Sequence, residues 1–260
     1  MLIKFTIRCL PFFGYKSFSM VANDAMHRTL AGQGKLLKIP NTKLSIFRTA
    51  LIMGDQLLAK EVINSVSSVC SEVLCPENSG IKNGAFEFMF STDGIRYLYY
   101  FCKERNVVLH EKLVSWPGRY PRVIFEKLCI NNKIKWHFNS SFRPSNKKYG
   151  KQLGYTKLSI PRFESDISLV VTEFFKNIQF CDQSVEITKN KIIDIVSMPN
   201  KILFIDSIDY YELWSMLKAI NQHEDETPGQ HSTQLILAGY NGFENILCKD
   251  QIWQVSPLNI

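Results

Sequence analysis

Apolar and polar residues alternate over Met1–Phe13 ("MLIKFTIRCLPFF"), as in a half-buried strand. The next apolar stretch, Asn41–Met53 ("NTKLSIFRTALIM"), suits helix and strand equally. After Asp55 the apolar positions Leu58, Val62, Val66, Val69 and Val73 recur every three or four residues, which predicts an amphipathic helix ending near Pro76. Phe86, Phe88 and Phe90 then alternate with Ala85, Glu87 and Met89, predicting a strand with one strongly apolar face. Thr92 or Asp93 reads as the cap of a further helix reaching Arg105, followed by a strand in Asn106–Val114 ("NVVLHEKLV").

Two prolines and a glycine in "SWPGRYPR" (Ser115–Arg122) mark a break. Beyond it, Ile134, Trp136 and Phe138 alternate with Lys133, Lys135 and His137, a strand with a packing face and a cationic face. Farther on, Ser165 or Asp166 caps a predicted helix in "ISLVVTEFFKNI", "KILFID" is a short apolar strand, and Ser207 caps "IDYYELWSMLKAI". The acidic loop "NQHEDETPGQ" leads to the strand "TQLILAGY", and Asn241-Gly242 signals a hairpin into "FENILC". Strand, helix and strand in that order suit a parallel crossover with an antiparallel edge after it. The pattern predicts an α/β (or α+β) chain with mixed sheet elements and packed helices. It divides into an N-terminal α/β body at 1–115, a basic aromatic-rich middle segment at 116–159 and a C-terminal α/β part at 160–260.

Composition adds a compartment and a charge map. With 45% hydrophobic and 21% charged residues the chain has the makeup of a soluble globular protein. No apolar run approaches the ~18–20 residues that span a bilayer, so no transmembrane segment is expected. Seven cysteines without a spaced framework, and no signal-peptide pattern, point to a reducing intracellular compartment, cytoplasmic or nuclear. The net charge is +7, and its distribution is uneven. Between Lys112 and Arg162 stand twelve Lys or Arg residues against the single acid Glu126.

A segment so poor in acids suits a polyanion, because lysine and arginine neutralise phosphates and release counterions. Aromatic residues, among them Trp116, Tyr120, Trp136, Phe138, Phe142, Tyr149 and Tyr155, are interleaved with the charge and read as core rings or as stacking surfaces for unpaired bases. The expected function is binding of nucleic acid, RNA or single strands, through Lys133, Lys135, Arg143, Lys147, Lys148, Lys151 and Lys157, with Tyr149 and Tyr155 as stacking rings. The same charge serves an anionic membrane surface in a matrix-like structural protein that self-associates as a homo-oligomer. Pro144, Gly150 and Gly154 break the amphipathic helix that membrane binding favours.

The candidate chemistry is fragmentary. "ILFIDSID" (Ile202–Asp209) resembles the Walker B strand of P-loop ATPases of the AAA+ and helicase type, which implies that Asp206 holds magnesium. "LILAGYNG" (Leu235–Gly242) is similar to the strand of that family whose terminal polar residue, here Asn241, senses the γ-phosphate. A phosphate loop is sought at "SNKKYGKQ" (Ser145–Gln152, with Lys151) or at "TLAGQGKL" (Thr29–Leu36). Ser145 stands where the first candidate needs glycine, Gln152 where it needs Ser or Thr, and Ser207 where an acid polarises water. Thr29–Leu36 departs at the same two positions. The resemblance implies a degenerate P-loop ATPase-like chain.

Other candidates are thinner. His27-Arg28-Thr29 and His231-Ser232-Thr233 resemble the H-x-T pairs of two-histidine phosphoesterases, in which His27 and His231 would serve as acid and base on a phosphodiester. The middle residue of each triplet is polar here, whereas that family places an apolar one. Asp93 with Glu111 and Lys112, or Glu186 with Lys189, would supply a carboxylate-plus-lysine nuclease core if they converge. The acidic stretch His223–Glu226 with His231 reads as a solvated connection, so no metal and no cofactor are assigned.

Overall fold

The computed structural model describes residues 2–10, 16–21, 49–53, 56–75, 80–142, 144–146, 148, 154–181, 201–205, 234–239, 252–254 and 256–258. The first strands are β1 (Leu2–Leu10), β2 (Lys16–Val21) and β3 (Thr49–Met53), followed by helix α1 (Gln56–Leu74). A meander comes next: β4 (Gly84–Thr92), β5 (Ile95–Glu104), β6 (Val107–Trp116), β7 (Arg122–Ile130) and β8 (Lys133–Phe138). Helix α2 (Asp166–Lys176) leads to β9 (Ile178–Cys181), β10 (Ile202–Ile205), β11 (Gln234–Gly239), β12 (Ile252–Gln254) and β13 (Ser256–Leu258).

These strands form two sheets in a mixed α/β chain. One has eight strands in the order β13-β2-β1-β4-β5-β6-β7-β8, paired antiparallel throughout. The other has five in the order β12-β3-β11-β10-β9, paired parallel throughout. Strand β3 therefore pairs with strands from the far end of the chain, and β7 and β8 extend the sheet that holds β4–β6.

Three two-residue hairpins build the meander. Asp93-Gly94, Arg105-Asn106 and Asn131-Asn132 all have positive φ at both positions, from 49° to 74°. That is the type I′ geometry whose twist matches paired strands. The helix expected from Thr92 or Asp93 to Arg105 is thus a hairpin and strand β5. An Asp-Gly pair between apolar runs is a turn signal that outweighs capping, and alternate residues Tyr97, Tyr99 and Phe101 are buried on one face. Arg105 tolerates its left-handed conformation because its N–H donates to Asn83 Oδ1 at 2.7 Å and the next N–H to Lys82 O at 2.9 Å.

The inner face of the antiparallel sheet packs on both helices. Val62, Val66, Val69 and Val73 of α1 are buried, as their spacing predicts. Ser165 caps α2, its hydroxyl accepting from the Ser168 N–H at 3.1 Å. From α2, Phe174 stacks on Phe90 at 3.9 Å between ring centroids and Phe175 meets Phe88 edge-on at 5.0 Å. The same core cluster takes in Ile202, Phe204 and Ile236 of the parallel sheet. Strand β10 is buried at all four positions, as suits a parallel strand covered on both faces. Among the described residues no helix is long and apolar enough to cross a membrane.

Candidate functional site

Strands β3, β11 and β10 lie side by side and point the same way. Met53 at the end of β3 pairs with Gly239 at the end of β11, and Ile205 at the end of β10 pairs with Leu237. Their carboxyl ends form one edge of the parallel sheet, where open α/β sheets bind ligands. The chain continues from these strands into Gly54, Asp206 and Tyr240-Asn241. Asp206 and Asn241 themselves lie outside the described residues.

Only Gly54 and Asp55 separate parallel strand β3 from the 19-residue helix α1. Strand, short connection and helix is the setting of a phosphate loop, with the pattern G-x-x-x-x-G-K-[ST]. From Gly54 the sequence runs Gly-Asp-Gln-Leu-Leu-Ala-Lys-Glu. Gly54 and Lys60 stand at the first-glycine and lysine positions, while Ala59 replaces the second glycine and Glu61 the magnesium-binding hydroxyl. Of the two phosphate-loop positions sought from sequence, Ser145–Gln152 follows the antiparallel edge strand β8, and Thr29–Leu36 lies outside the described residues. The signal that would have found Gly54 is the apolar run Thr49–Met53 directly before it.

The replacements have a structural consequence. Gln, Leu, Leu and Ala are all better helix formers than the glycine a phosphate loop needs, and α1 begins at Gln56. Lys60 therefore lies in the second helical turn, exposed to solvent. A helix start retains unpaired N–H groups and a partial positive charge. Gln56–Ala59, already helical, are not part of a loop of backbone amides wrapped around a phosphate.

A second polar cluster ties α1 and the basic segment to the antiparallel sheet. In the last turn of α1, Glu72 meets Lys103 of β5 at 3.0 Å, with side chains 2% and 0% exposed. Glu111 of β6 is buried and accepts from Tyr99 Oη (3.0 Å), Ser159 N (2.7 Å) and Ile160 N (2.7 Å). Burial pushes its carboxyl above the usual range, against the pull of Lys127 and those donors. Lys127 of β7 donates to Gly154 O (2.8 Å), Lys157 O (3.1 Å) and Ser159 Oγ (3.3 Å). Burial pulls its ammonium below the usual range, while Glu111 opposes this. Arg162 reaches Val73 O of α1 at 2.9 Å. The thiol of Cys70, within α1, is pushed up to about 12 by burial.

This cluster revises the charge map. Among the twelve cations of the segment, Lys127 is a buried ligand of carbonyls, Lys112 pairs with Glu126 at 3.2 Å and Arg162 binds a helix carbonyl. Lys133 and Lys135 are exposed on edge strand β8, where lysines also deter pairing by a foreign strand. Lys148 is exposed and Lys157 half-buried. Tyr155 is 40% exposed, with its hydroxyl donating to Asn132 O at 2.6 Å. Trp136, Phe138 and Phe142 surround buried Phe125 with ring centroids 5.6–6.2 Å away, so these three rings belong to packing. Arg143, Lys147, Tyr149 and Lys151, with His27 and His231, lie outside the described residues.

Of the two nuclease sets, Asp93, Glu111 and Lys112 do not converge, and Glu186 and Lys189 lie outside the described residues. Asp93 is exposed in a hairpin turn, while Glu111 points inward and Lys112 outward on one strand. Among the described residues no group of three His, Cys, Asp or Glu side chains is arranged to hold a metal ion. Comparison of the chain with family models, with curated proteins and with solved structures finds no match.

Proposed function

We propose that the chain has a P-loop-type nucleotide-binding fold that has lost its phosphate loop, and with it tight nucleotide binding and turnover. The observation that carries this reading is the parallel sheet β12-β3-β11-β10-β9, in which β3 passes through two residues into α1. The strand before Asp206 and the strand before Asn241 lie in register beside β3. The carboxyl edge of these three strands is where the resemblance expects a nucleotide.

Its chemistry supports silence. Hydrolysis requires a cradle for the β- and γ-phosphates, a hydroxyl on magnesium and a group that orients water. Ala59, Glu61 and Ser207 stand at the corresponding positions, and Glu61 adds a negative charge where phosphate charge must be balanced. Phosphate release from Mg·ATP by the purified chain is expected to equal the protein-free blank. A turnover near 1 s⁻¹, at the low end of ordinary enzymes, that disappears in Lys60→Ala would overturn the reading.

A second reading is favoured by the exposure of Lys133, Lys135 and Lys148: the chain binds a polyanion, RNA or another single-stranded nucleic acid. Affinity of that origin falls steeply with salt.

A further inference from the structure

The two helices cover the inner face of the antiparallel sheet, and the opposite face of β4–β8 carries its own ordered set of side chains. Cross-strand pairing aligns Glu87, Tyr100, Lys112, Glu126 and His137 in one row across five strands. The adjacent row runs Ala85, Cys102, His110, Leu128 and Lys135. A shallow cavity of about 460 Å³ opens on this face, lined by Leu98, Tyr100, His110, Lys112, Val114 and Trp116, with the Glu87 carboxylate on its β4 side.

Rings and cations meet in this cavity. The Arg96 guanidinium lies 4.4 Å from the Trp116 ring centroid, and the Tyr100 ring stands edge-on to His110 at 5.0 Å. Glu126 is already engaged by His110 at 3.0 Å and by Lys112 at 3.2 Å, which offsets its charge. Lys135 in the neighbouring row and Lys133 beyond it are exposed. Arg96 and Lys112 thus lie at the cavity, and Lys133 and Lys135 lie on the same face two strands away, across β7.

We propose that this outer sheet face is a platform for single-stranded nucleic acid, with Tyr100 and Trp116 presenting ring surfaces to unpaired bases and Lys133 and Lys135 contacting phosphates. The inference rests on the polyanion reading and moves its centre from the loop at 140–157 to the sheet. Charge complementarity selects a polyanion. The rings select one with exposed bases, since a duplex hides base faces inside its stack while a single strand splays them onto aromatic side chains.

The test is fluorescence anisotropy of the full chain, freed of copurifying nucleic acid, against a labelled single-stranded RNA and the corresponding duplex over a salt series. Tyr100→Leu/Trp116→Leu is expected to lose about tenfold or more in single-strand affinity, given the usual stacking contribution of each ring. Lys133→Ala/Lys135→Ala, two exposed sites whose loss leaves the fold intact, is expected to reduce the salt slope by roughly 1.4. Lys147→Ala/Lys148→Ala/Lys151→Ala is the control for the loop. Wild-type affinity in both sheet variants, with loss in the loop variant, would overturn the platform and keep the polyanion reading. Absence of binding by the wild type at low salt would overturn both, and equal affinity for duplex that the ring variant leaves unchanged would overturn the platform while keeping polyanion binding.

Discussion

Lys103→Ala loses about 3–5 kcal/mol of folding stability, the expected cost of leaving a buried charge without its partner. The Lys103 ammonium and the Glu72 carboxylate, 3.0 Å apart, are both withdrawn from water. Removing the lysine takes from the buried Glu72 carboxylate the ammonium it meets between α1 and β5. Replacing both residues by apolar ones of similar volume, in Glu72→Leu/Lys103→Met, is expected to cost less than either truncation, because neither charge then has to be desolvated. Urea unfolding at neutral pH reads both effects. A loss under about 1 kcal/mol in Lys103→Ala would show that water reaches the pair. The pair matters to the account because it fixes the end of the helix that follows Gly54, so the candidate edge of the parallel sheet and the antiparallel sheet share one helix.

Phe125→Ala is expected to cost about 3–5 kcal/mol as well, through lost transfer energy and the cavity left behind. Phe125 is fully buried and lies against Trp136, Phe138, Phe142 and Phe163, the last edge-on at 5.5 Å. These rings pin the chain on both sides of the basic loop, at Phe142 and at Phe163. Its loss therefore also loosens the loop, which limited proteolysis near Lys147–Lys151 would detect as faster cleavage. Leu169→Ala is the matched control: that side chain is 56% exposed on α2, and a change under about 0.5 kcal/mol is expected. Equal effects at the two positions would contradict the packing described for Phe125.

Much of the local structure was legible because one period dominates each element. The valines of α1 and the alternating phenylalanines of β4 can satisfy only one pattern each. Ile95–Glu104 is different. Its run "IRYLYYFCKE" is apolar on both faces, so periodicity does not separate strand from helix. The Asp93-Gly94 turn decides the matter, and the reading as a helix cap passed over it. Charge counting failed in a similar way at Lys127. Composition scores it as surface, yet it alternates with Glu126 and Leu128 and shares the inward face with Phe125.

The candidate edge was half legible. "KILFID" and "TQLILAGY" read as parallel strands from their sequence, and they are neighbours. The strand that completes the site, β3, lies about 150 residues earlier, and nothing local announces a pairing that distant. The proposed loop was invisible for a chemical reason: Ala59 and Glu61 stand at the positions of two residues by which a phosphate loop is recognised. The search went instead to basic segments richer in glycine and lysine.

Calorimetric titration of Mg·ATP into the wild-type chain and into Ala59→Gly/Glu61→Ser tests the central claim most directly. If helix formation through Gln56–Ala59 and the Glu61 carboxylate are what closed a nucleotide site, the wild type binds no tighter than about millimolar and the double variant at least about tenfold tighter, a gain of ~1.4 kcal/mol. Micromolar affinity in the wild type, or no gain in the variant, would contradict it.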